Sequence, residues 1–84
     1  MAVTTAYLEG WLVERLAEYL EIDADEIEPD EEVVRYGVDS LAKASLGAEI
    51  EDVFGVRLEQ EFFLDHRTVE SIAAGLNDQI AAKA

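Results

Sequence analysis

Apolar residues return at helical spacing in three separate stretches of this chain, and no strand pattern competes with them. From about Thr5 to Leu20 the series is Leu8, Trp11, Leu12, Leu16, Tyr19 and Leu20. From Ser40 to about Phe54 it is Leu46, Ile50 and Val53 or Phe54, with Leu41, Ala42 and Ala44 nearer the start. From Thr68 to about Ile80 it is Val69, Ile72, Ala73, Leu76 and Ile80. Each series becomes one face of a helix, and such a face has to be buried against another. With 84 residues there is room for one thin core, so the three faces must share it. The expected fold is all-α: a small bundle of three main helices plus one short helix, with a long loop between the first two. A single domain is expected over 1–84, with its core at about 5–81.

The local chemistry places the breaks. Gly55 follows Phe54 where a left-handed glycine commonly ends a helix. Thr68 is a good N-cap for the last helix. Between them, Glu59 to Leu64 has room for one helical turn, bringing Phe62, Phe63 and Leu64 to the core, and Asp65 to Arg67 is a turn. Gly47 lies inside the second helix and costs about 1 kcal/mol relative to alanine, a placement that suits close packing or a close-approaching partner. Trp11 and Tyr7 read as core or core-edge packing. Residues 1–4 and the Ala-Ala-Lys-Ala tail are expected to fray.

The connection over 21–38 is unusual. Eight of the twelve residues from Glu21 to Glu32 are acidic and none is basic. Pro29 stops a helix from running through it. Ile22, Ile27, Val33, Val34 and Tyr36 are the residues available to pin it to the core. The Asp23, Asp25 start does not make an EF-hand type calcium loop, because the sixth and twelfth positions are Glu28 and Val34 instead of glycine and glutamate.

Composition then removes whole function classes. There is no cysteine and a single histidine, His66, so thiolate or multi-histidine metal sites and a protein-borne nucleophilic thiol are excluded. A formal charge of −14 repels nucleic acid and anionic lipid surfaces and favours basic patches on partner proteins. No signal-peptide pattern or long apolar run is present, which makes the cytoplasm the default compartment.

One short stretch, Gly37-Val38-Asp39-Ser40-Leu41, stands where the acidic connection meets the second helix. Asp39 reads as the N-cap and Ser40 as the first helical residue, at the positive end of the helix dipole. Gly37 permits the turn that presents the hydroxyl. The context is not the Gly-x-Ser-x-Gly nucleophile elbow, and the acidic residues crowd a solvated loop rather than a dry pocket. The sequence therefore reads as a non-catalytic protein.

Gly37 to Leu41 resembles the attachment motif of the acyl carrier proteins. The acidic run at 25–32 resembles that family's loop, and Leu46, Ile50, Glu51 and Phe54-Gly55-Val56 resemble its second helix and exit. Phe63-Leu64-Asp65-His66-Arg67-Thr68-Val69 is similar to the Phe-Asp-His-Pro-Thr-Val signature of polyketide-synthase carriers, with Arg67 where proline is usual. Val38 fits the acyl type better than the Gly-Gly-His/Asp-Ser of peptidyl carriers. The resemblance runs from about Leu8 to Ile80.

It implies that a phosphopantetheinyl transferase moves 4′-phosphopantetheine from coenzyme A onto Ser40, flanked by Asp39 and Leu41. The domain would then carry acyl thioesters to an acyltransferase, ketosynthase or other acyl-handling enzyme. Asp39, Leu41, Glu49, Glu51 and Asp52 would form the partner-binding face. The resemblance further implies a monomer, and the initial Met1 with short tails suits a free-standing carrier as well as an excised module. Ala44, Gly47 and Ala48 are smaller than is common in the family, which makes the recognition helix flatter or a groove more open. Two other readings stand beside this one: an aminoacyl or starter-unit carrier of a hybrid peptide–polyketide pathway, and an unmodified acidic adaptor for a basic partner.

Overall fold

The computed structural model describes residues 3–83. Four helices form: α1 (Thr5–Leu20), α2 (Ser40–Phe54), the single-turn α3 (Phe62–Asp65) and α4 (Val69–Lys83). Two 3-10 turns, Ala24–Glu26 and Val33–Tyr36, punctuate the α1–α2 connection. Among the described residues there is no strand, and an isolated bridge joins Glu32 to Thr68. The all-α expectation holds.

The three apolar series supply the core. Leu8, Leu12 and Leu16 of α1, Ala42, Leu46 and Ile50 of α2, and Val69, Ile72, Ala73 and Leu76 of α4 are all buried. α1 packs chiefly against α4. Trp11 meets Phe54 edge-on with ring centroids 5.0 Å apart, so it closes the α1–α2 seam as a packing residue. Tyr7, Tyr19, Leu41, Ala44 and Leu64, placed on the core side or its edge from the sequence, are exposed, and of the pair Val53 or Phe54 it is Phe54 that packs on the core while Val53 faces outward. Tyr19 and Val53 sit at the margins of their stripes, and Leu64 belongs to a helix too short to turn it under.

The acidic connection is held by backbone as much as by side chains. Ile27 and Val33 are buried, and Ile22 and Tyr36 pack against the core from its edge. Val34, also assigned as a pin, is exposed instead. The amide of Val33 donates to the Arg67 carbonyl at 2.8 Å, and the amide of Glu70 to the Pro29 carbonyl at 2.9 Å. The Tyr36 hydroxyl accepts from the amide of Glu28 at 2.8 Å. These bonds satisfy polar backbone that a long loop would otherwise leave to water.

Capping and helical structure reach into both stretches expected to fray. Thr4 caps α1, its Oγ1 accepting from the amide of Tyr7 at 3.1 Å, and Val3 packs on the core. Met1 and Ala2 lie outside the described residues. α4 continues to Lys83, whose ammonium donates to the Gly55 carbonyl at 2.5 Å and so ties the ends of α4 and α2 together. Ala84 lies outside the described residues.

Candidate functional site

The junction before α2 is built from alternating constraints. Gly37 adopts φ 93°, a left-handed conformation that glycine takes without penalty. Val38 then turns into the core, as does Ala42 four residues on. With those two buried, Asp39, Ser40 and Leu41 between them are exposed, and Leu41 is 70% exposed. Leu41 is therefore an outward apolar side chain, with little burial against the loop. Asp39 Oδ1 accepts from the amide of Ala42 at 2.9 Å, so the cap is made by the carboxylate. The Ser40 hydroxyl is not used by it.

Ser40 also heads a groove. Ser40, Lys43, Ala44, Gly47, Ala48 and Glu51 lie at intervals of three and four along one face of α2. Opposite them stand Leu58 and the residues leading into α3, with Phe63 and Leu64. The space between is an open groove of about 730 Å³. Small residues make its floor: a Cβ at Gly47 would already lie 3.4 Å from the Phe63 ring. The unusual smallness of Ala44, Gly47 and Ala48 in the sequence was the signal for this opening.

The residues assigned to a partner face do not share one face. At about 100° per residue, Glu49 lies about 180° round the helix from Ser40. It faces α1, with an oxygen 3.7 Å from a guanidinium nitrogen of Arg15. Glu51 lines the Ser40 groove, but its Oε2 accepts from the amide of Leu58 at 2.8 Å. Leu41 and Asp52 fall on one stripe, adjacent to the groove. Leu41 and Asp52 thus share one stripe with Asp39 at its head, Glu49 lies about 60° beyond Asp52 on the side of Arg15 and is still exposed, and Glu51 lies in the groove with an oxygen on the Leu58 amide.

His66 does not pair with Ser40. Its Nδ1 is 2.7 Å from Ser71 Oγ, and its ring lies against Phe62 with centroids 4.7 Å apart. The histidine joins α3 to α4.

Solved carrier structures share this fold. A free-standing peptidyl carrier protein from an uncharacterized Acinetobacter baumannii secondary metabolic pathway superposes with a TM-score of 0.85 at 25% identity, covering 90% of this chain and 95% of that one. The HMG-ACPI domain from the CurA module of Lyngbya majuscula superposes with a TM-score of 0.87 over 98% of this chain and 83% of that one. At 21% identity the second likeness speaks for the fold alone. In fold, this is a carrier-type domain.

The family itself follows from the sequence match. Residues 10–76 match the phosphopantetheine attachment site model, and the chain belongs to that family. It is also 29% identical over 62 residues to the conidial pigment polyketide synthase alb1 of Aspergillus fumigatus, a match covering 74% of this chain and 3% of that protein. The cofactor of the family is a covalently attached 4′-phosphopantetheine.

The start of α2 fits such a group. The amides of Ser40 and Leu41 open the helix without intrahelical partners, and an anion beside them is favoured. The groove running from Ser40 has an apolar, small-residue floor along which an arm can lie. The other described serines fit less well: Ser71 is engaged by His66, and Ser45 stands within α2, away from its free amides.

Proposed function

We propose that this chain is an acyl carrier of polyketide-synthase type, loaded at Ser40. The observation that carries the proposal is the division of labour at α2, in which Asp39 makes the cap and leaves the adjacent Ser40 hydroxyl exposed. In the reaction of a phosphopantetheinyl transferase, Ser40 Oγ bonds to the phosphorus that carries the pantetheine of coenzyme A; the pyrophosphate bond to that phosphorus breaks, adenosine 3′,5′-bisphosphate leaves, and the hydroxyl proton passes to the transferase. When bound, that group supplies a flexible arm ending in a thiol, the thioester-forming function a chain without cysteine lacks. The remaining residues position and present. The free amides of α2 favour the phosphodiester, and Leu41 with Asp39 and Asp52 offers an apolar contact rimmed by carboxylates to acyltransferases, ketosynthases or other acyl-handling partners. A formal charge of −14 steers the domain towards basic surfaces on those partners, at rates that fall with salt. The single-domain, monomeric and cytoplasmic readings belong to the same proposal.

A second reading, an aminoacyl carrier, is supported by the likeness to the free-standing peptidyl carrier protein. A paired loading assay separates the two. The holo chain is offered to an acyltransferase with an acyl-coenzyme A, and separately to an adenylating enzyme with its amino acid, each read by intact mass. Acyl loading alone is expected; aminoacyl loading alone would overturn the polyketide assignment. Loss of all loading in Ser40→Ala is expected in both arms.

A further inference from the structure

Lys43 is out of place electrostatically. The chain has six basic and twenty acidic residues, so a basic side chain without a carboxylate partner needs a reason. Arg15 pairs with Glu18 and Glu49, and Arg35 with Glu31. Lys83 and Arg67 donate to backbone carbonyls, and Arg57 is exposed. Lys43 is half-buried, yet among the described residues it makes no ion pair and no side-chain hydrogen bond. It also sits in the second turn of α2, near the end where the helix dipole disfavours a cation.

Its position explains what could compensate. Lys43 lines the groove that Ser40 heads. Being three residues on, it lies on the same face, with Cβ atoms about 5–6 Å apart. Among the residues lining the groove Lys43 is the one cation. Lys43 stands at the Ser40 end, Ala44, Gly47 and Ala48 form the neutral floor, Glu51 lies about 12 Å beyond Lys43 along α2 at 1.5 Å per residue, and Glu59 and Glu61 stand on the opposite wall. An anion on Ser40 Oγ would therefore meet its cation at Lys43 and nowhere else in the groove.

We propose that Lys43 is a binding residue for the arm, its ammonium pairing with the phosphodiester on Ser40 and laying the arm into the groove. This rests on the reading of Ser40 as the attachment residue. The pairing joins an anion to a cation beside it without any bond being made or broken.

The test compares wild type, Lys43→Gln, Lys43→Arg and Arg57→Gln, each loaded to completion as judged by intact mass. Arg57→Gln removes the same charge from outside the groove. Two readouts are taken: the phosphorus-31 resonance of the phosphodiester at low and high salt, and the melting temperature of holo minus apo protein. In wild type, Lys43→Arg and Arg57→Gln, the resonance is expected to move with salt, and loading is expected to raise the melting temperature by about 2–5 °C at low salt. Lys43→Gln is expected to lose both effects. A wild type that loads normally, with a phosphorus resonance insensitive to salt or matched by Lys43→Gln in both readouts, overturns the Lys43 proposal alone. A wild type that gains no arm overturns the Ser40 reading and this proposal with it.

Discussion

Asp39 Oδ1 accepts from the amide of Ala42 at 2.9 Å, spanning the residue whose hydroxyl stands free between them in the first turn of α2. The cap and the exposed hydroxyl thus belong to adjacent residues, and the two functions can be altered separately. Asp39→Ala is expected to cost about 1 kcal/mol through loss of the cap. Asp39→Asn, which keeps a capping oxygen, is expected to recover most of it. Thermal or urea denaturation of the unloaded protein measures both. An Asp39→Ala variant as stable as wild type would show that the bond carries little energy.

Two left-handed positions should respond in opposite directions. Gly37, at φ 93°, has nothing within 4 Å of where a Cβ would stand, so Gly37→Ala carries backbone strain alone. It is expected to cost about 1–2 kcal/mol. Glu21 ends α1 at φ 59°, where glycine is the usual residue. Glu21→Gly is expected to raise stability by about 0.5–1 kcal/mol, strain relief being partly offset by the greater entropy of the unfolded chain. Denaturation midpoints decide both signs.

Gly75 is a third case with a different cause. A Cβ there would lie 2.7 Å from His66 Nε2 and 2.9 Å from its Cε1, so the imidazole must leave its place between Phe62 and Ser71. Gly75→Ala gains helix propensity worth about 1 kcal/mol, against overpacking of about 1–3 kcal/mol. A net loss is expected. Combining it with His66→Ala removes the obstacle, so the pair should be less destabilised than the sum of the single variants. Strict additivity would contradict the contact.

The acidic connection sets the response to salt. Eight carboxylates between Glu21 and Glu32 repel one another, and the screening length falls from about 30 Å at 0.01 M to about 8 Å at 0.15 M. The melting temperature is expected to rise as sodium chloride is added over that range. A fall would mean that attractive pairs such as Arg35–Glu31 outweigh the repulsion.

What could be read from the sequence was what depends on near neighbours. Leu46 and Ile50, Asp39 before Ser40, Gly55 after Phe54, and Thr68 three residues before Ser71 are each fixed within about one helical turn. The structure bears them out, the last through a 3.0 Å bond from the Ser71 amide to Thr68 Oγ1. The misreadings involve partners distant along the chain or side chains at the edge of a stripe. Lys83 reaches the carbonyl of Gly55 across 28 residues, which extends α4 through a tail that looks unstructured. Glu51 turns to the amide of Leu58 and Glu49 towards Arg15, so carboxylates that look solvated on a helix face have partners there. Leu64 and Val34 are apolar and exposed, since hydrophobicity alone does not say which side of a single turn faces the core. The local geometry of the proposed site, a cap at Asp39 and an exposed Ser40, was legible in the sequence. The groove was legible only as an excess of small residues, since its opposite wall comes from the segment before α3.

The most direct test of the assignment at Ser40 is to locate the arm. The unloaded chain is incubated with coenzyme A and a broad-specificity phosphopantetheinyl transferase, digested, and the modified peptide sequenced by mass spectrometry. One phosphopantetheinyl group on Ser40, absent from Ser40→Ala, is the expected result. An unmodified chain, an arm on Ser45 or Ser71, or a mass gain that persists in Ser40→Ala would contradict it.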